Sequence, residues 1–145
     1  MALSDGVRLG HVNIEVTDLP AARRFYDGFL PVLGFTRMQP VDPLWLGYRK
    51  GRMALWITAS RPPRVRRGTP HVPKDGIEDP ISDHLGFRSP SSKRVFELER
   101  ALRRRGFKPV YSTAKQTAHG PTWYTSNAWR DHDNNVLEIY ALTKR

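Results

Sequence analysis

Apolar and polar residues alternate along the first strand-like segment of the chain. In the stretch HVNIEV, residues 11–16, valine and isoleucine alternate with His11, Asn13 and Glu15. Because successive side chains of a β-strand point to opposite faces, this pattern predicts a strand with one core face. The other face then carries three side chains that can bind a metal ion or a proton.

The order of the apolar segments occurs twice along the chain. The run HVNIEVTDLPAARRFYDGFLPVLGF (residues 11–35) and the run HLGFRSPSSKRVFELERALRRRGF (residues 84–107) each begin with His on a strand, continue through one helix and end in Gly-Phe. Short strand-like runs follow each copy: TRMQPV, LWLGYRK and MALWITAS after the first, and KPVYS, TWYTSNAWR and NVLEIYAL after the second. The pattern therefore predicts two βαβββ modules.

Both predicted helices have start and stop signals. Asp18 is a favourable N-cap for the first helix, and the segment SPSS supplies the start of the second. Gly34 and Gly106 are typical helix stops. The predicted apolar stripes are Ala22, Phe25, Phe29 and Leu33 in the first helix, and Val95, Leu98 and Leu102 in the second.

The segment between the two copies has the composition of a linker. RPPRVRRGTPHVPKDGIEDPIS is rich in Pro, Gly and charge. At roughly twenty residues it is long for a simple connection. A segment of this length could also cover a binding site. His71 lies within it and is interpreted as an exposed residue. We expect one domain over residues 1–145, with modules at 8–60 and 80–143 and a linker at 61–79.

The composition narrows the class of protein. The chain is 39% hydrophobic and has no cysteine, which indicates a globular fold and excludes disulfides and thiolate metal sites. The N-terminus MALSDGVRLGH has no signal-peptide core, and no segment approaches membrane-spanning length, so we expect a cytoplasmic protein. The net charge is +10, but no nucleic-acid-binding motif accompanies it. A solvated basic surface is the favoured interpretation.

Three residues at repeat-related positions could hold a metal. His11 and His84 begin the first strand of each copy, and a pseudo-twofold axis would bring them together. Glu138 lies on the face of its strand opposite the apolar residues, in mid-strand, where a carboxylate is unfavourable. Two His and one carboxylate with open positions suit Fe²⁺, and also Mn²⁺, Co²⁺, Ni²⁺ or Zn²⁺. In the alternative interpretation the histidines are hydrogen-bonded core residues and Glu138 pairs with an arginine.

Three stretches, HVNIEVTDLPAARRFYDGFLPVLGF, DHLGFRSPS and RDHDNNVLEIY, resemble the vicinal oxygen chelate superfamily. This superfamily includes glyoxalase I, extradiol dioxygenases and the fosfomycin- and bleomycin-resistance proteins. The last stretch is similar to the family ending DPDGNxIEL, with His132 in place of Pro and Asn134 in place of Gly. The resemblance implies an α+β fold of paired βαβββ modules in a cupped mixed sheet, a homodimer, and a divalent metal on His11, His84 and Glu138.

One position departs from the glyoxalase pattern. Glyoxalase-type members add a carboxylate on the fourth strand of module one, where this sequence has Trp56. The departure favours the three-ligand pattern of dioxygenases and fosfomycin-modifying enzymes, although the thiol- or potassium-binding features of the latter are not found.

Strand phase predicts further substrate-binding neighbours: Asn13, Glu15, Trp56, Thr58, Arg88 and Tyr140. Arg88 suits a carboxylate or phosphonate of the ligand, or a salt bridge to Glu15.

Acid–base candidates come from the strand TWYTSNAWR and the residues before it. One alternating set among Trp123, Tyr124, Asn127 and Trp129 should face the site, but a bulge would reverse the phase, so either set remains open. Tyr124 and His119 are the candidates for proton transfer.

Two classes of function follow. The first is a metal-dependent enzyme, dioxygenase-like or a lyase or isomerase, acting on a small oxygen-chelating substrate that is anionic or aromatic. The alternative is a metal-free ligand-sequestering protein resembling the bleomycin-resistance group, and the intact His, His, Glu pattern counts against it.

Overall fold

The computed structural model describes residues 7–39, 42–60 and 84–145. The chain divides into two compact units, Met1–Arg64 and Val65–Arg145. The predicted linker, with His71, and residues 80–83 of the second predicted module lie outside the described residues. Within the described residues, no helix is long and apolar enough to cross a membrane.

The first unit is a βαβββ module built on a four-stranded mixed sheet. Its elements are β1 (His11–Val16), α1 (Leu19–Phe29), a 3₁₀ turn (Leu30–Leu33), β2 (Thr36–Arg37), β3 (Trp45–Lys50) and β4 (Met53–Ala59). The strand order is β1-β4-β3-β2. The first strand is parallel to β4, and the other pairs are antiparallel. A parallel pair needs a crossover connection, and α1 lies within it.

The second unit repeats this topology. Its elements are β5 (His84–Arg88), α2 (Ser92–Arg104), β6 (Lys115–His119), β7 (Thr122–Arg130) and β8 (Val136–Lys144). The strand order is β5-β8-β7-β6, with β5 parallel to β8. The α+β fold class of two βαβββ modules is confirmed.

The first helix begins where the sequence predicts and ends earlier. Asp18 Oδ1 accepts a hydrogen bond from the Ala21 backbone N–H at 2.9 Å, which is the predicted N-cap. The α-helix stops at Phe29, because Pro31 has no N–H to continue the helical hydrogen bonds, and a 3₁₀ turn carries the chain to Gly34. Tyr26, rather than the predicted Phe25, is buried on the core face.

The second helix carries an acid in its buried stripe. Ser91 caps the helix by accepting a hydrogen bond from the Arg94 N–H at 3.2 Å. Val95 and Leu102 are buried as predicted, but Glu99 is buried too, while Leu98 is only half-buried. The Glu99 carboxylate accepts hydrogen bonds from Arg103, from the Ala114 N–H and from Asn127, which satisfies its buried oxygens.

The prediction of a strand at KPVYS, residues 108–112, is wrong. Residues 108–112 form no strand, and the edge strand of this sheet is β6, which joins β7 through a tight turn at Gly120, with φ of 57°. The side chain of Asn127 binds both the N–H and the carbonyl of Tyr111. These side-chain hydrogen bonds hold residues 108–112 in place of a strand ladder, a competition that residue propensities do not reveal.

Candidate metal and substrate site

Strand register decides which side chains share a face of the second sheet. Glu138 in β8 lies opposite Gly86 in β5 and opposite Ala128 in β7. Directly paired residues point to the same face. The Glu138 face therefore carries His84, Gly86, Arg88, Thr117, His119, Tyr124, Ser126, Ala128 and Tyr140. The opposite face contacts α2, where Asn127 binds Glu99, and it also carries Trp123 and Trp129.

Glu138 contacts two of the predicted site residues of the second unit, His84 and Tyr124. Its side chain is only 2% exposed. Oε2 lies 3.1 Å from Nε2 of His84, and Oε1 accepts a hydrogen bond of 2.7 Å from the Tyr124 hydroxyl. An isolated buried carboxylate is strongly unfavourable, so these two partners are what allow it to lie in mid-strand.

Tyr124 is half-buried and lies within an aromatic cluster. Its ring stacks on Tyr140, with centroids 5.4 Å apart and planes 18° apart, and the His119 ring centroid lies 6.4 Å away. Burial, followed by the hydrogen bond to Glu138 and the charge of that carboxylate, raises the pKa of Tyr124 well above its ordinary value. A phenol is already protonated at neutral pH, and the raised pKa keeps the Tyr124 hydroxyl a hydrogen-bond donor at moderately alkaline pH as well.

Gly86 leaves space beside the acid. A Cβ at this position would lie 3.1 Å from Cε1 of Tyr140 and 3.5 Å from Oε2 of Glu138. Gly86 is not among the site residues predicted from the sequence. The available signal was a glycine inside the short strand HLGFR, since glycine in a strand interior often marks a close approach.

The corresponding face of the first sheet is aromatic and polar. Trp56 lies opposite Asn13 in β1 and Gly47 in β3. Its ring contacts the Trp45 ring edge-on, at 5.1 Å and 82°, while Asn13 exchanges hydrogen bonds with Thr58 at 3.1 and 3.2 Å. The same face carries His11, Asn13, Glu15, Trp45, Gly47, Trp56 and Thr58, of which Trp45 and Gly47 were not predicted.

Arg88 lies at the end of β5, opposite Tyr140. Its side chain is exposed. Within the described ranges its guanidinium makes no ion pair, so the cation is available to an anion in solution.

Two donor atoms of the second unit lie close enough together to share one divalent metal ion. An imidazole nitrogen and a carboxylate oxygen 3.1 Å apart have the separation of two neighbouring ligands. Imidazole nitrogens and carboxylate oxygens that bind a metal each lie about 2.0–2.2 Å from the ion, so two such atoms about 3 Å apart could share one. The described residues contain no group of three or more His, Asp or Glu side chains that could hold a metal ion. The participation of His11, which belongs to the first unit, stays a prediction.

Known proteins share this architecture. No family model matches the chain. It is 27% identical over 131 residues to the uncharacterized protein YqjT of Bacillus subtilis (strain 168), covering 90% of this chain and 96% of that protein. A Bacillus halodurans structure whose name places it provisionally among the glyoxalases is 26% identical, with a TM-score of 0.67 over 97% of this chain and 99% of that one.

A second solved structure supports the same assignment of fold. The glyoxalase/bleomycin resistance protein/dioxygenase of Alicyclobacillus acidocaldarius has a TM-score of 0.66 at 18% identity, covering 94% of this chain and 92% of that one. This chain therefore has the glyoxalase/bleomycin resistance/dioxygenase fold. The resemblance to the vicinal oxygen chelate superfamily is confirmed.

Proposed function

We propose that this chain is a metal-dependent enzyme acting on a small substrate that chelates a divalent ion through neighbouring oxygen atoms. The observation that carries the proposal is the 3.1 Å contact between His84 Nε2 and Glu138 Oε2, with Glu138 almost fully buried. His84, Glu138 and His11 would hold Fe²⁺, Mn²⁺, Co²⁺, Ni²⁺ or Zn²⁺. The ion would supply Lewis-acid polarisation of bound oxygen, and redox chemistry if it is iron.

The chain's own residues would bind and orient the substrate. Arg88 is an exposed guanidinium on the Glu138 face and suits a carboxylate or phosphonate. Tyr140, stacked on Tyr124, offers an aromatic surface to a planar substrate. In the proposal, Asn13, Glu15 and Trp56 contact the substrate from the face of the first sheet. Tyr124 and His119 stay the candidates for proton transfer.

Two reaction classes fit this arrangement: a dioxygenase-like oxidation and a lyase or isomerase reaction. They differ in their need for oxygen. We expect an oxygen electrode to separate them when the Fe²⁺-loaded protein is given a panel of vicinal diols and hydroxy acids, since only the first class consumes O₂ with turnover.

The metal is tested by elemental analysis of protein purified under reducing, chelator-free conditions. We expect one divalent ion per wild-type chain, and its loss in Glu138→Ala, His84→Ala and His11→Ala. His132→Ala is the matched control, because His132 is exposed in the β7–β8 loop and lies outside the proposed ligand set. This variant should keep its metal.

Absence of metal from the wild-type protein, with no uptake of any of the five ions, would contradict the proposal. That outcome would favour the metal-free, ligand-sequestering function. Loss of metal from His132→Ala would equally argue against the assigned ligands.

We further propose that modules 8–60 and 80–143, joined by a linker at 61–79, form one domain that works as a cytoplasmic homodimer. Light scattering coupled to gel filtration should give twice the chain mass of 16.7 kDa. A mass of one chain at micromolar concentration would refute the dimer and leave the metal proposal standing.

A further inference from the structure

The two oxygen atoms of Glu138 have different partners. Oε1 accepts a hydrogen bond from the Tyr124 hydroxyl at 2.7 Å, and Oε2 faces His84 Nε2 at 3.1 Å. Because the side chain is 2% exposed, water has almost no access to take the place of either partner. The carboxylate is therefore asymmetric before any ligand is bound.

We propose that Tyr124 is a positioning residue that occupies Oε1 and restricts Glu138 to binding the metal through Oε2 alone. The inference rests on the proposed metal function. A free carboxylate can bind an ion through one oxygen or through both. A short phenol hydrogen bond orients the carboxylate plane and engages the second oxygen, so the coordination position that a bidentate carboxylate would take is left for the substrate.

The fold fixes both the donor and the acceptor of this hydrogen bond. Tyr124 and Glu138 lie on neighbouring antiparallel strands, where Tyr124 pairs with Leu142 and reaches diagonally along the sheet. The Tyr124 ring is held flat against Tyr140. Two packed strands therefore fix the donor and the acceptor, and the orientation of the carboxylate does not depend on a loop.

The coordination position that binding through Oε2 alone would leave free suits the proposed substrate class. A substrate that chelates through two neighbouring oxygens needs two adjacent open positions on the ion. Three protein ligands that each give one atom leave such positions open, whereas a bidentate glutamate would remove one of them. Tyr124 would thus help to select chelating substrates over ligands with a single donor oxygen.

The test uses Co²⁺ as the probe, added to chelator-treated, full-length protein and followed by visible absorption. Tyr124→Phe removes only the hydroxyl. We expect it to weaken Co²⁺ binding by about 10- to 100-fold, the usual effect of losing a hydrogen-bond partner of a metal ligand. In the infrared spectrum, the separation between the two carboxylate stretching bands of Glu138 should narrow as binding becomes bidentate.

Tyr48→Phe is the matched control. The Tyr48 hydroxyl also donates to a carboxylate oxygen, Asp27 Oδ1, at 2.9 Å, but on the α1-facing side of the first sheet. The control removes the same chemical group from a different part of the chain. We expect its Co²⁺ affinity and carboxylate bands to match those of the wild type.

The possible outcomes separate this inference from the function on which it rests. Unchanged Co²⁺ affinity and unchanged carboxylate bands in Tyr124→Phe would overturn the role of Tyr124 and leave the metal site intact. Failure of the wild type to bind Co²⁺ would overturn both. Should Tyr124→Phe not fold, NMR of Zn²⁺-loaded wild type with labelled tyrosine decides: a slowly exchanging Tyr124 hydroxyl proton supports the inference, and rapid exchange refutes it.

Discussion

Glu138 and Trp56 occupy the same register position in their respective sheets. Trp56 lies two residues after Ala54, which pairs with His11 in the first sheet. Glu138 lies two residues after Val136, which pairs with His84 in the second. Each is also paired with a small residue on the next strand: Gly47 on β3 for Trp56, and Ala128 on β7 for Glu138. Two modules of the same topology thus place an aromatic ring at this position in one sheet and a carboxylate in the other.

Arg88→Ala should weaken the binding of an acidic ligand. Because Arg88 is exposed, its charge pair with a ligand contributes up to about 1 kcal/mol, so the affinity for oxalate should fall by about two- to fivefold. Metal content should not change. Calorimetry with oxalate and with neutral catechol measures the effect, and Arg100→Ala, an exposed arginine on α2, is the charge-matched control. Equal oxalate affinity in both variants would show that Arg88 has no part in ligand binding.

Gly47→Ala should destabilise the protein through crowding. A Cβ at Gly47 would lie 2.5 Å from Cζ3 of Trp56, so the indole must move away from its position against Trp45. Overpacking of this kind typically lowers the free energy of unfolding by about 1–3 kcal/mol. Gly10→Ala is the control, since a Cβ there meets nothing within 4 Å. Urea unfolding measures both, and equal midpoints would contradict the prediction.

Glu99→Ala should be more damaging than an ordinary surface substitution. Its carboxylate accepts hydrogen bonds from the Ala114 N–H and the Asn127 amide in the interior, and removing it leaves these donors without an acceptor. The expected loss is roughly 2–4 kcal/mol in the free energy of unfolding. Glu97, on the same helix, forms an exposed pair with Arg94, so Glu97→Ala should unfold at nearly the wild-type urea concentration. A similar midpoint for both variants would show that the Glu99 hydrogen bonds are not stabilising.

The buried phenol of Tyr48 should make stability fall at alkaline pH. Burial, and then the hydrogen bond to Asp27 and its negative charge, raise the pKa of Tyr48 well above its ordinary value. The folded chain keeps this proton above about pH 10, where the unfolded chain loses it. The contribution is therefore complete below about pH 10 and declines as the pH rises further.

This pH dependence is checked by urea unfolding at pH 8 and pH 11. The wild type should lose more stability between the two pH values than Tyr48→Phe, which has no phenol to ionise. A loss of the same size in both proteins would mean that Tyr48 does not ionise differently in the folded and unfolded states.

Features that depend on neighbouring residues could be predicted from the sequence alone. The alternation in β1, the Asp18 cap and the repeated strand–helix order each rest on interactions a few residues apart, and the structure confirms them. The resemblance to the superfamily could also be recognised from the sequence, because the motifs that carry it are short and contiguous. The part of His11 in a metal site stays a prediction.

The tertiary structure alone decided the phase of β7 and the environment of Glu138. TWYTSNAWR has aromatic and polar residues on both alternating sets, so no pattern within it says whether Tyr124 or Asn127 shares the face of Glu138. The pairing of β7 with β8 and the packing of α2 decide it, and both involve residues distant in sequence. The hydrogen bond between Tyr124 and Glu138 exists because two strands, each held in register by many backbone hydrogen bonds, bring the phenol and the buried carboxylate within 2.7 Å of each other.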